Sequence, residues 1–205
     1  MLKQRAAALA VVAAIIAVAA TGASAARFDA TPGGSVTGSS VDGFTFIASG
    51  VEIDCDVTLG GSMSGATLAK TVGLKVGEVS SMRWSGCSGG EVEAVLGLPW
   101  EVDYTSFTGT LPSAVTAMNV TVVNAQIRLR VFGGLATCLY AGALEVVLTP
   151  LLLWDGSYTT WPQFEIEEEG SELAKRSGGE LCPATATAEG WIGTELGASQ
   201  SVRLI

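Results

Sequence analysis

Between residues 51 and 57, apolar and acidic side chains alternate strictly. The apolar members are Val51, Ile53, Cys55 and Val57, and the acidic members are Glu52, Asp54 and Asp56. A period of two places successive side chains on opposite faces of a β-strand, so the apolar face of this segment is predicted to be buried and the acidic face to meet solvent. An amphipathic helix has a period of 3.6 residues, which this segment does not follow.

Similar short segments recur along the chain between glycine, proline and other turn-forming residues. Residues 44–48 form one, and residues 100–107 form another, with Trp100, Val102 and Tyr104 on one face. Further candidates near the carboxyl terminus are residues 185–189, 191–196 and 200–205. About ten or eleven strands of this kind predict an all-β fold, either an antiparallel β-sandwich or a closed barrel or jelly roll.

Residues 121–131 form the longest predicted strand, which ends at Gly133-Gly134. Its apolar face is predicted to consist of Thr121, Val123, Ala125, Ile127, Leu129 and Val131. Its other face carries Asn124, Gln126, Arg128 and Arg130, the most basic surface that the sequence predicts. The sequence leaves open whether the two arginines meet an acidic partner.

Two further segments carry distinct local patterns. Residues 151–161 read LLLWDGSYTTW, and Asp155-Gly156 suits a two-residue type I′ turn, so we predict a β-hairpin there. Residues 171–176 begin with Ser171, carry an early acid and late bases, and are followed by Gly178. That order predicts one or two helical turns in a loop.

The first 25 residues have the three parts of a secretory signal peptide. Lys3 and Arg5 supply the basic region, residues 6–20 are uncharged and apolar, and Ala23-Ser24-Ala25 supplies a cleavage site. We expect a signal-peptide helix that is cleaved before Ala26. Residues 26–205 would then form a single all-β domain outside the cytoplasm, with no membrane attachment after cleavage.

The mature domain is predicted to be strongly acidic. The whole chain has a formal net charge of −9, and loss of Lys3 and Arg5 would make it −11. Nucleic acids and anionic lipids attract basic patches, so neither is an expected partner.

Four cysteines lie in the mature domain, namely Cys55, Cys87, Cys138 and Cys182. An even number of cysteines in an exported chain predicts disulfides. Four cysteines allow three connectivities, and we favour Cys55–Cys87 with Cys138–Cys182, which are nearest in sequence. Zinc binding is the alternative, but the chain contains no CxxC motif and no histidine.

The absence of histidine limits the possible chemistry. Ser-His-Asp and Cys-His catalysis both require an imidazole base, and many zinc, copper and iron sites require imidazole ligands. Ser88-Gly89-Gly90 is interpreted as a turn rather than a nucleophile segment. The sequence predicts no catalytic residues, no metal and no cofactor.

Carboxylates are the remaining catalytic residue type. Acids two apart on a strand lie about 7 Å apart, which falls within the spacing of about 5–9.5 Å used by glycoside hydrolases. Three sets meet this condition, namely Glu52/Asp54/Asp56, Glu101/Asp103 and Glu165/Glu167/Glu169. Because none is distinguished, all are interpreted as solvent faces, and residues 165–169 as a charged edge strand. Calcium binding by Asp54/Asp56 or by residues 167–169 stays open, although no EF-hand spacing is present.

Tryptophans are the candidate ligand-binding residues. Trp84, Trp154 and Trp161, together with Trp100 and Trp191, could offer flat surfaces to sugar rings, whereas burial in the core is the competing interpretation for each. In the predicted hairpin, Trp154 and Trp161 share a face.

Several segments resemble a group of exported β-rich, four-cysteine proteins of high-GC actinobacteria with no assigned activity. The resemblance rests on CDVTLGGSMSG from Cys55, WSGCSGG, GLPWEVDYTSFTGTLP, ELCPATATAEG and the terminal VRLI, within residues 44–205. It implies export, two disulfides and an all-β domain, and it supplies no catalytic residues.

The sequence therefore predicts a secreted, disulfide-linked, non-catalytic protein with a binding or structural role outside the cell or at the cell envelope. One alternative is a carbohydrate-binding module that uses surface tryptophans, and a second is a carboxylate-dependent glycoside hydrolase. A glycan or an envelope component is the candidate partner.

Overall fold

The computed structural model describes residues 27–31, 34–64, 67–69, 71–110, 114–150, 159–161, 163–196 and 201–204. The predicted signal peptide and the predicted Asp155-Gly156 turn lie outside these ranges. The strands, in chain order, are β1 (Arg27–Thr31), β2 (Ser35–Ala48), β3 (Val51–Met63), β4 (Thr67–Ala69), β5 (Lys75–Ser88), β6 (Glu91–Leu96), β7 (Trp100–Thr110), β8 (Ala114–Val131), β9 (Ala136–Pro150), β10 (Thr159–Trp161), β11 (Gln163–Ser177), β12 (Thr185–Leu196) and β13 (Ser201–Leu204).

Eight of these strands close into an antiparallel barrel. Their hydrogen-bonded order is β8-β7-β5-β3-β2-β12-β11-β9, and pairing between β8 and β9 closes the ring. Strand β6 pairs with the second half of β8, and β10, β13, β1 and β4 form a separate four-stranded sheet. The predicted all-β antiparallel fold is confirmed, in its closed-barrel form.

The alternation of side chains along each strand determines which residues face the barrel interior, as expected for half-buried strands. Ile53, Cys55 and Val57 are buried on β3, and Trp100 and Tyr104 are buried on β7. An eight-stranded barrel has an interior just wide enough to be filled by side chains or to hold one small ligand.

Alternation on β8 changes face at a β-bulge. The pairing with β9 shifts register between Val122 and Ala125, and Asn124 has a φ of 59°. Ala125, Ile127 and Leu129 are buried as predicted. Before the bulge, however, the buried residues are Val120 and Val122, so the predicted inward positions of Thr121 and Val123 are wrong. An inserted residue shifts a period-two pattern by one, which exchanges the two faces.

Two predictions for β11 are also wrong. Residues 171–176 are not helical but belong to the strand, where Leu173 is fully buried and pairs with Ala186. Residues 165–169 do not form an edge strand, because β11 pairs with β9 on one side and with β12 on the other. Pairing on both sides overrides a weak local helix propensity.

Two disulfides join the four cysteines with the predicted connectivity. Cys55 on β3 is bonded to Cys87 on β5, with 4.1 Å between the Cα atoms. Cys138 on β9 is bonded to Cys182 in the connection between β11 and β12, with 5.6 Å between the Cα atoms. Among the described residues, no helix has the length and hydrophobicity needed to cross a membrane.

Candidate functional site

The barrel interior is filled unevenly along its axis. In one part, which we call the packed half, the largest inward side chains are almost completely buried. They include Phe46, Ile53, Ile127, Leu129, Tyr140 and Leu173. In the other part, which we call the hollow half, the interior contains a cavity of about 100 Å³. Residues on its wall include Trp100, Val120, Val122, Leu144, Val146 and Leu148.

Local sequence explains how this wall forms. Register pairs Val120 with Val146 across β8 and β9, and Val146 with Glu168 across β9 and β11. The side chains on this part of β8 and β9 are mostly short and β-branched, which favours strand structure and fills less of the barrel axis than aromatic side chains would. A cavity lined by apolar side chains stays dry and can take up apolar molecules.

Glu168 is the one carboxyl side chain among the described residues that is both buried and on the cavity wall. Glu168 is 3% exposed and lines the cavity. It follows Ile166 by two positions on β11, so both side chains point into the barrel. Its partners across the sheet are Val146 and Gly190. Since Gly190 has no side chain, Phe44 packs over it, and a Cβ there would lie 2.7 Å from Phe44 Cδ2.

The two oxygens of Glu168 have different surroundings. Oε1 accepts a hydrogen bond of 2.8 Å from the backbone N–H of Ser171. Oε2 is buried and has no hydrogen-bond partner among the described residues. Burial raises the pKa of Glu168, and Glu145 raises it further, while hydrogen bonds from Ser171 and Gly170 partly oppose the shift. A buried polar atom without a partner is unusual in a folded protein and marks a candidate contact for a ligand.

The barrel wall beside Glu168 is irregular. Between β9 and β11 the pairing passes from Glu168/Val146 directly to Ala174/Ala141. A bulge at Gly170, whose φ is 106°, shifts the register of β11 against β12. The Ser171 hydroxyl fills part of the gap by accepting a hydrogen bond of 2.7 Å from the Glu145 N–H. Bulges of this kind redirect side chains next to functional sites.

A polar groove of about 660 Å³ lies over this gap on the outer surface. Its lining includes Thr105, Asn119, Thr121, Glu145, Ser171 and Glu172. Glu168 borders both this groove and the interior cavity, as do Val120 and Val146.

The predicted tryptophan surfaces do not come together in the described part of the chain. Trp84 is half-buried, and its ring lies 5.4 Å from the Phe44 ring and 5.2 Å from the Phe46 ring. Its Nε1 is buried without a hydrogen-bond partner. Trp154 lies outside the described residues, and only the backbone of Trp161 is described. Trp100 is only 1% exposed, so its predicted role as a sugar-binding surface is wrong, because its ring is packed inside the barrel. Among the described tryptophans Trp191 is the most exposed, at 47%.

The arginine face of β8 is partly neutralised within the chain. Arg130 contacts Glu91 at 3.0 Å and Glu93 at 3.4 Å, both on β6. Such exposed ion pairs contribute little stability, but they reduce the charge that Arg130 offers to a partner. No group of three or more acidic or cysteine side chains suited to a metal ion occurs in the described ranges.

Glu168 was missed by sequence reasoning because residues 165–169 were treated as a uniform acidic run. The available signal was the position of Ile166, since a period of two places Glu168 on the same face. That placement is confirmed, because Ile166 and Glu168 both line the cavity.

The pH dependence of stability should report on Glu168. Its folded-state pKa lies above the ordinary value of 4.5, so the folded chain holds this proton more tightly than the unfolded chain does. Below the ordinary value the carboxyl group is protonated in both states, and as pH rises through the folded-state pKa the fold loses stability. Glu168→Gln keeps an acceptor for Ser171 and cannot ionise. The melting temperature of Glu168→Gln should therefore rise relative to that of wild type as the pH is raised from 4 to 8.

The matched control is Glu172→Gln, an exposed position on the same strand. Thermal unfolding at a series of pH values measures both variants against wild type. A constant difference between Glu168→Gln and wild type across this range would contradict the assignment.

Comparison of the chain with protein-family models, with curated proteins and with solved structures finds no match.

Proposed function

We propose that this chain is an exported, non-catalytic binding protein that holds one small, largely apolar molecule in the hollow half of its barrel. The observation that carries the proposal is the cavity between Val120, Leu144 and Leu148, which is bordered by a single buried carboxyl group. Burial of a ligand there would gain about 25 cal/mol for each Å² of apolar surface removed from water.

Size limits the class of ligand. A cavity of about 100 Å³ is smaller than an engineered cavity of about 150 Å³ that binds benzene or xenon. The site as it stands suits a short aliphatic group or a small ring, not a whole lipid. Drug-sized ligands generally occupy about 300–1,000 Å³.

The two disulfides and the predicted signal peptide support export. Disulfides form and persist in oxidising compartments outside the cytoplasm. Closure of the barrel and cross-linking of its strands would hold the cavity open without a ligand, since little chain freedom is left for collapse.

Thermal unfolding in the presence of benzene tests the proposal. A ligand that binds only the folded state stabilises it by RT ln(1 + [L]/Kd), so benzene should raise the melting temperature of wild type. Leu144→Phe places a ring in the cavity and should remove this response. Leu135→Phe, a position that is 80% exposed, is the matched control and should keep it. No response in wild type, or the same response in Leu144→Phe, would count against the proposal.

Carboxylate-dependent glycoside hydrolysis is the second candidate, because Glu145 and Glu168 both border the outer groove and the pKa of Glu168 is raised. A glycosidase needs two carboxyl groups of which one has a raised pKa. We place it second because Glu168 is only 3% exposed, so a sugar in the groove would not reach it without movement of the wall. Hydrolysis of nitrophenyl glycosides by wild type, abolished in both Glu145→Gln and Glu168→Gln, would establish it.

A further inference from the structure

The hollow half contains one polar feature that its apolar lining does not explain. Glu168 Oε2 is buried, has no hydrogen-bond partner among the described residues and belongs to a side chain that points into the cavity. A buried donor or acceptor left unpaired destabilises the folded state. A polar atom of a bound molecule would remove that cost at the moment of binding.

The chemistry around Glu168 indicates which polar atom fits. No basic side chain is among the residues that line the cavity, and the nearby titratable groups are acidic, namely Glu78 on the same wall and Glu145 on the neighbouring strand. Without a cation to stabilise its charge, a carboxyl group enclosed by apolar side chains has a raised pKa, which favours its neutral form. A neutral carboxyl group has one O–H donor, which pairs with an oxygen acceptor.

We infer that the molecule held in the cavity carries an oxygen atom that hydrogen-bonds with the Glu168 carboxyl group, so that the site selects short aliphatic alcohols over hydrocarbons of the same shape. This inference rests on the proposed function and adds the substrate class to it. The alkyl chain lies against Val120, Val146 and Leu148, and the oxygen lies toward β11. The other buried polar atoms of the described chain that lack a hydrogen-bond partner, such as Trp84 Nε1, belong to residues that do not border the cavity.

Specificity in such a site comes from the polar contact. Methylene groups bind in any apolar cavity of sufficient volume, whereas a site built to hydrogen-bond an oxygen discriminates against an analogue that lacks it. A hydrogen bond contributes about 0.5–1.5 kcal/mol net, which corresponds to a factor of about 2 to 12 in affinity.

The test compares 1-butanol with pentane, in which a methyl group replaces the hydroxyl group. Their dissociation constants are measured from the shifts of the Val120, Val146 and Leu148 methyl signals in NMR spectra of the whole mature domain. The preference for 1-butanol over pentane is determined in wild type, Glu168→Leu and Glu168→Gln. The free energy needed to remove each molecule from water is the same for every variant, so it cancels when variants are compared. The comparison therefore isolates the contribution of the side chain at position 168.

Wild type should prefer 1-butanol by about 2- to 12-fold more than Glu168→Leu does. Glu168→Gln, whose amide group also donates a hydrogen bond, should retain most of the preference. Equal preference in wild type and in Glu168→Leu, with both molecules still bound, would overturn this inference and leave the proposed function standing. Failure of 1-butanol, pentane and benzene alike to shift the methyl signals would overturn both.

Glu168→Leu has one structural risk, because it removes the acceptor for the Ser171 N–H. Should that variant not fold, the preference in Glu168→Met, whose flexible side chain carries a weak sulfur acceptor for the Ser171 N–H, takes its place. The Glu168→Gln result is decisive in either case: loss of preference there, with pentane binding unchanged, contradicts the hydrogen bond.

Discussion

Replacement of Cys138 and Cys182 together by alanine should lower the free energy of unfolding by about 4 kcal/mol, because the bond closes a loop with a sequence separation of 44 residues. The bond restricts the unfolded chain, and its removal returns that entropy to the unfolded state. Alanine is the suitable replacement, since both cysteines are buried and a serine hydroxyl would lack partners. A domain with a total stability of about 5–15 kcal/mol would be strongly affected.

Urea denaturation at fixed pH measures this loss, and the Cys55/Cys87 double alanine variant is the matched control. That bond has a separation of 32 residues, so its removal should cost nearly as much. The Cys138–Cys182 bond joins β9 to the connection that follows β11. Without this bond, the gap beside Glu168 should be the first part of the barrel to open during unfolding. A loss below about 1 kcal/mol would show that the cross-link contributes little here.

Trp100→Ala is expected to lower the free energy of unfolding by about 3–5 kcal/mol. Trp100 is 1% exposed, it lines the cavity, and its Nε1 donates a hydrogen bond of 2.8 Å to the Leu96 carbonyl oxygen. The substitution removes both the packing and the hydrogen bond, and it enlarges the hollow half. If the fold survives, the variant should bind larger apolar rings than wild type does.

The control for this prediction is Trp191→Ala. Trp191 is 47% exposed and lies on the outer face of β12, so its replacement should change stability by about 1 kcal/mol or less. Thermal unfolding compares the two variants, and a difference of 1 kcal/mol corresponds to about 2–4 °C in a domain of this size. Equal destabilisation by both substitutions would contradict the assignment of a special supporting role to the buried Trp100.

Local sequence patterns were sufficient for several of the strands and for the disulfide pairing. Alternation over residues 51–57 fixes which side of β3 is buried, and the nearest-neighbour pairing of Cys55 with Cys87 follows from adjacent strands. Closure of the ring was not determined in advance, because it depends on pairing between β8 and β9 and on the long-range order of all eight strands. Sandwiches and barrels use the same local alternation.

Errors arose where a bulge or a non-local pairing replaced the local rule. Asn124 exchanges the faces of β8, which the sequence pattern alone does not reveal because Thr121 and Val123 continue the same alternation. The helix predicted at residues 171–176 failed because Leu173 is required inside the barrel. Both errors lie close to the gap beside Glu168, where the regular ladder is interrupted.

The candidate site was less accessible to prediction than the fold. Its cavity is enclosed by side chains from different strands, among them Trp100, Val120, Leu144 and Val146. No spacing along the chain encodes the space that these side chains leave between them. Glu168 could have been found from its position two residues after Ile166, but the missing partner of its Oε2 depends on all the side chains around it, which no local pattern shows.

The apolar cavity inside the barrel is tested most directly by a crystal structure of the mature domain under xenon pressure. Xenon is apolar, makes no hydrogen bonds and occupies dry cavities of this size. We expect a xenon atom between Val120, Leu144 and Leu148 in wild type and no xenon at this position in Leu144→Phe. An interior filled by side chains without xenon, or xenon bound only outside the barrel, would contradict it.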